Sequence, residues 1–144
     1  MMGFIPDRPQ SFMHQLEKRF NMALPEGVSI FYAEGIRIGH STLRQSDIHG
    51  ERGYGACDNS FIPTNAFIQN FGHLAKRNVI ELDEADAKAY ASGKDIPKDA
   101  GDKQRYVVVR YKEHSLGLGF YDGQKKTLMN RIPEKIRREI INSI

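Results

Sequence analysis

Three features of the residues predict an α+β domain whose sheet is concentrated in the last third of the chain. The first is Arg105–Tyr111, RYVVVRY, in which β-branched and aromatic residues occupy both alternating sets. Val107, Val109 and Tyr111 share one face, Tyr106 and Val108 the other, as in a strand buried on both sides. The second is Ser115–Tyr121, SLGLGFY, where Leu116, Leu118 and Phe120 alternate with Gly117, Gly119 and Tyr121. Glycines at alternate positions let a sheet bend or another backbone approach closely. The third is a set of segments with helical periodicity outside this stretch, each opened by a residue suited to capping a helix.

Taken in order, Ser11–Met22 has Phe12, Leu16 and Phe20 at four-residue spacing, which predicts an amphipathic helix with Ser11 as its cap. Pro25-Glu26-Gly27 turns the chain into a strand over Val28–Tyr32. A further turn at Glu34-Gly35 leads to Ile36-Arg37-Ile38, where alternation turns Arg37 outward. From Gly39 to Ile62 regular periodicity is lost. Pro63 and Thr64 open a helix through Phe71, with Phe67, Ile68 and Phe71 on one face. Val79–Leu82 is a short strand, and Asp83 caps a helix over Glu84–Ser92 that Gly93 terminates. Its acidic first turn suits the positive end of the helix dipole. Lys94–Lys103 is a turn-rich connection.

The dipeptide Asp122-Gly123 is a strong signal for a two-residue hairpin turn, since a type I′ turn needs positive φ at both positions. That turn pairs Phe120 with Lys125, Leu118 with Thr127 and Leu116 with Met129, and sets Leu128 across from Gly117. A basic helix is expected to follow the third strand.

At 144 residues the chain is expected to form one domain with a substantial core. No apolar run is long enough for a membrane span, and MMGFIPDRPQ has neither the basic nor the apolar region of a signal peptide. One cysteine forms no internal disulfide, in keeping with a reducing compartment. A cytoplasmic location is expected. The balance of 21 Lys+Arg against 18 Asp+Glu gives a net charge of only +3, but the charges are segregated. Acidic residues gather at Glu81, Asp83, Glu84 and Asp86, and basic ones at Lys125, Lys126, Arg131, Lys135, Arg137 and Arg138.

Catalytic chemistry has little support in the residues. Cys57 is a candidate nucleophile, and the histidines at 14, 40, 49, 73 and 114 are candidate bases, but no spacing ties them together. A zinc motif, a phosphate loop and a nucleophile elbow are missing. No cofactor, metal ligand or catalytic residue is therefore expected. The glycine-rich Gly39–Ile62 segment offers Arg44, Arg52 and Tyr54 as possible contacts to a ligand, against the reading of an ordinary surface loop.

The order of the motifs adds a resemblance. PTNAFIQNFGHLAKRNVIELDEADAKAYASGKDI, then Gly101, YVVVRY, LGLGFYDG and LMNRIPEKIR, resembles the PUA-like RNA-binding domain at the C-terminus of Sun-family RNA 5-methylcytosine methyltransferases. The match runs from Pro63 to Arg138, and residues 1–62 match only loosely. The resemblance implies a single PUA-like domain over residues 1–144, a small mixed β-barrel with peripheral helices. It implies binding to structured ribosomal or transfer RNA, as an accessory to modification by a separate methyltransferase and without catalysis of its own.

The finishing motif places Leu128, Asn130, Pro133, Lys135 and Arg137 on family positions, while Met129 stands where lysine is usual and Glu134 where a basic residue is common. Charge adds Lys125, Lys126, Arg131 and Arg138 as phosphate contacts. The family's methyl-donor fold is missing, and Cys57 follows Ala56 rather than the proline of the family's nucleophile. Two alternatives accompany this reading: a protein-interaction module docking on a methyltransferase or ribosome-assembly factor, and a small enzyme using Cys57.

Overall fold

A computed structural model describes residues 8–32, 36–40, 54–58, 60–142 and 144. Its centre is a mixed sheet of five strands, which curls as half a barrel and runs β4 (Val79–Glu81), β6 (Arg105–Tyr111), β7 (His114–Asp122), β8 (Thr127–Met129) and β5 (Ile96–Pro97). The β4–β6 pair is parallel and the other pairs are antiparallel. A second, three-stranded antiparallel sheet joins β1 (Val28–Tyr32), β2 (Ile36–His40) and β3 (Tyr54–Gly55). The helices are α1 (Arg8–Phe20), α2 (Asn65–Phe71), α3 (Glu84–Ala91) and α4 (Arg137–Asn142). Among the described residues, no helix is long and apolar enough to cross a membrane.

Alternation along β6 divides the core as the sequence predicts. Val107, Val109 and Tyr111 join Tyr90, Ala91, Tyr121, Leu128, Ile132 and Ile140 in a core beneath α3 and α4. Val108, with Tyr106 at its margin, faces a second core containing Phe12, Leu16 and Phe20 of α1 and Phe67 and Ile68 of α2. A strand with both faces covered needs apolar residues at every position, and the three central valines are fully buried.

The local signals at the helix ends are realised. The Thr64 side chain accepts from the Phe67 N–H at 3.1 Å, and Asp83 accepts from Asp86 N–H at 2.8 Å. Gly93, following the cap residue Ser92, has φ +106°. The first helix differs from expectation: it already includes Arg8, so Ser11 lies inside it rather than capping it. Pro9 is tolerated there because a proline in the first turn gives up no intrahelical hydrogen bond. At the other end Asn21 adopts φ +48°, and the last carbonyls of α1 receive the 76–78 segment. Phe20 O accepts from the N–H groups of Lys76 and Arg77, and Asn78 Nδ2 donates to Arg19 O at 2.6 Å.

Two expectations for β7 and β8 are corrected. Leu116 belongs to the α3/α4 core and Leu118 to the α1/α2 core, so the leucines do not share a face. The β6–β7 register shifts between Val109 and Arg110, opposite a Gly117 with φ +148°, and the irregularity reverses the alternation there. The hairpin beyond β7 is longer than a two-residue turn. Phe120 pairs with Met129, Tyr121 with Leu128 and Asp122 with Thr127, leaving residues 123–126 as the loop.

Neither Asp122 nor Gly123 has positive φ; Lys126 does, at +49°. Asp122 instead uses its carboxylate, which accepts from the N–H groups of Gln124 at 3.0 Å and Lys125 at 3.2 Å and from the Gln104 amide at 3.1 Å. A Cβ on Gly123 would overlap the carbonyl of Asp102, so this connector backbone packs directly on the loop.

Candidate nucleic-acid interface

The basic residues lie on successive irregular elements rather than on one helix. Lys125 and Lys126 sit in the β7–β8 loop and Arg131 follows β8. Lys135 lies in a short 3-10 turn over Glu134–Ile136, and Arg137 and Arg138 open α4. The expected basic helix is corrected accordingly: Arg137 and Arg138 occupy its first turn, where the helix dipole is unfavourable to cations.

Their surroundings divide these residues into two groups. Lys126 points back at the β5–β6 connector, with its Nζ hydrogen-bonded to Asp102, 2.7 Å from Gly101 O and 3.8 Å from Asp99. The Asp102 hydrogen bond holds the lysine above its ordinary pKa, and the lysine holds Asp102 below its own. Tyr121 fixes the same connector, its hydroxyl accepting from Ala100 N–H at 2.7 Å and lying 2.8 Å from Lys98 O. Arg105 adds bonds to Lys103 O and Ala100 O, while its guanidinium stacks 5.0 Å from the Tyr121 ring. The loop and connector are thereby joined into one tip.

Asn130 is equally engaged within the fold. Its Nδ2 donates to Tyr90 O at 2.5 Å and Lys94 O at 3.1 Å, and its Oδ1 accepts from Ile132 N–H at 2.9 Å. These bonds fasten the end of α3 to the exit of β8. Burial pushes the Tyr90 hydroxyl pKa well up, in keeping with its place in the core. Arg137 donates from Nε to Ile132 O at 3.3 Å, and its guanidinium lies against Gly93 at the C-terminal end of α3, where a positive charge is favourable.

Lys125, Arg131, Lys135 and Arg138 form the other group. All four are exposed, and among the described residues none is in an ion pair. Arg131 lies 5.3 Å over the ring of Tyr106, which meets Phe120 edge-on with centroids 5.1 Å apart. Tyr106, Phe120 and Met129 occupy one cross-strand row of β6, β7 and β8, and all three are half-buried. Reading β6 as covered on both faces passed over this row. Its signal in the sequence was an aromatic residue in each of two neighbouring strands, outside the valine and leucine positions.

Arg44 and Arg52 lie outside the described residues. Tyr54 enters through its backbone, which pairs with Ile38 in the small sheet, and its side chain also lies outside them. Arg37, expected to point outward, likewise has no described side chain. Cys57 is half-buried in an isolated bridge to Pro63. Among the described residues, no three His, Cys, Asp or Glu side chains gather closely enough to hold a metal.

The architecture is that of a small α+β PUA-like domain. Residues 77–138 match the family described as the methyltransferase RsmF PUA domain. The family match begins at Arg77 rather than Pro63 and takes in β4 through the first turn of α4, including the whole basic segment.

The chain is 31% identical over 78 residues to the ribosomal RNA small subunit methyltransferase F of Aeromonas salmonicida. That alignment covers 53% of this chain and 16% of the relative. It is 38% identical over 69 residues to the protein of the same name from Shewanella woodyi, covering 47% of this chain and 14% of that protein. The resemblance drawn from the motifs is thus borne out, and the chain spans only a small part of the relatives it matches.

Proposed function

We propose that this domain binds structured ribosomal or transfer RNA through the outward-facing cations of its last third, as an accessory to RNA modification by a methyltransferase. The carrying observation is that Lys125, Arg131, Lys135 and Arg138 stand exposed and outside ion pairs within the segment that matches the RsmF PUA domain. Phosphate oxygens satisfy such cations without requiring base identity, so these residues fix register and orientation on the RNA. Lys126, Asn130 and Arg137 contribute by holding the loop, the β8 exit and α4 in place. Arg44, Arg52 and Tyr54 belong to the same proposal as contacts from the glycine-rich segment. A ribosomal or transfer RNA partner implies action in the cytoplasm, with a separate methyltransferase as the second partner.

The test is titration of a fluorescent RNA stem-loop with the full chain across a range of salt. The four phosphate contacts of the last third predict a contribution of about −3 to −4 to the slope of log affinity on log salt. Exchanging Lys125 and Arg131 for glutamine makes the slope shallower by about 1.4 to 1.8. Salt-insensitive binding, or a slope that the double variant leaves unchanged, refutes the assignment. A chain that binds no RNA but holds a purified methyltransferase favours the protein-docking alternative.

A further inference from the structure

We propose that the Tyr106–Phe120–Met129 row, with Arg131 stacked upon it, is a platform for an unpaired RNA base. This inference rests on the RNA-binding reading and adds the kind of nucleotide that the sheet recognises. Tyr106 and Phe120 are cross-strand partners, as are Phe120 and Met129, so three flexible or planar side chains lie side by side on one face. Among the described residues Phe120 and Met129 pack into neither core, and Tyr106 touches the α1/α2 core only at its margin. The row is therefore not accounted for as part of the apolar interior.

Arg131 supplies the chemistry that favours a base over an apolar protein side chain. Its guanidinium lies over Tyr106 at 5.3 Å and the residue is exposed, so a flat cation stands open to solvent beside the half-buried ring of Phe120. Such a surface stacks any nucleobase, while the positive charge draws in the adjoining phosphate. Thr127 continues the same face of β8 toward the β7–β8 loop, which carries Lys125. A backbone whose base rests on Phe120 can thus run toward a second cation. Paired bases hide their faces in the helix stack, so the occupant is a loop, bulge or single-stranded nucleotide.

The test compares binding of the full chain to a single-stranded adenine oligomer of roughly 12 nucleotides and to a fully paired RNA duplex. Phe120→Leu retains an apolar side chain without the ring, and Arg131→Lys retains the charge without the plane. Each is expected to weaken oligomer binding at least about five-fold, with little change for the duplex. The salt slope stays that of the wild type, whereas Lys125→Gln reduces it by about 0.7. An oligomer of abasic residues binds the wild type and Phe120→Leu alike.

Circular dichroism melting establishes that each variant is folded. If Phe120→Leu proves unfolded, Arg131→Lys on the exposed face decides the matter. Wild-type binding to RNA that neither variant alters overturns the platform and leaves the RNA-binding reading standing, as does equal loss for oligomer and duplex. Failure of the wild type to bind either RNA overturns both.

Discussion

Gly117→Ala tests whether the irregularity in β7 is a requirement of the fold. Gly117 has φ +148°, a conformation that costs an L-residue about 1–3 kcal/mol. An added Cβ would also overlap the Asn65 side-chain oxygen and approach its Cγ at 2.9 Å. That oxygen accepts the Leu118 N–H at 3.0 Å, and displacing it leaves a buried donor unpaired, costing about 1–3 kcal/mol more. The two effects total about 2–6 kcal/mol. At about 3 °C per kcal/mol for a chain of this size, thermal unfolding followed by circular dichroism should show a midpoint lower by roughly 6–18 °C.

Gly55→Ala is the control, since a Cβ there meets nothing within 4 Å and the residue has no positive φ; its midpoint should stay within about 2 °C. An equally mild Gly117→Ala refutes the argument. The double variant Asn65→Ala/Gly117→Ala separates the two costs, because the overlap predicts less than additive loss by about 0.5 kcal/mol or more. Strict additivity leaves the backbone as the sole cause.

Lys126→Met removes the link to the β5–β6 connector while retaining chain length. Asp102 is held below its ordinary 3.8, so the contribution is present above that value and is lost as pH falls through the lower folded pKa. Lys126 is held above its ordinary 10.5, so its contribution is present below that value and disappears as pH rises through the higher folded pKa. The difference in melting midpoint between wild type and variant should be level at neutral pH and shrink at both extremes; a difference that grows toward acid contradicts the assigned partner. Asn130→Ala should lower stability by about 1–3 kcal/mol in urea unfolding by leaving Tyr90 O, Lys94 O and Ile132 N–H without their partner. Its salt slope for RNA should match the wild type, and a reduced slope would return Asn130 to the RNA contacts.

Features decided within a few residues were legible in the sequence. Thr64, Asp83 and Gly93 act on neighbouring backbone groups, and the valines of β6 need only the two-residue period to divide between cores. The β7–β8 loop was misread because its geometry depends on distant residues. Asp122 receives Gln104 as well as its own loop, and Gly123 packs against Asp102. Charge counting had the same limit at the candidate interface. It ranks Lys125 with Lys126, although the partner that ties down the second lies 24 residues away; the finishing motif, in turn, names Asn130 without showing that its amide holds Tyr90, 40 residues away. The Tyr106–Phe120 contact appears only once the register is known, since the residues share a row rather than a motif.

Under the proposed function the last third of the chain combines two duties by assigning them to opposite faces and to different charges. On β8, Leu128 and Tyr121 beside it are fully buried beneath α3, while Met129 and Arg131 follow the other face. A strand's alternation lets the inward position hold the sheet together without constraining what its neighbour presents. The loop repeats that division with two adjacent lysines, one tied to Asp102 and one exposed. A tip joined internally by Lys126, Tyr121 and Arg105 has little freedom to lose when its exposed cation meets a phosphate. Preorganisation of that kind raises affinity by reducing the entropic cost of binding, so under the proposed function the inward-facing lysine would support an RNA contact that it does not itself make.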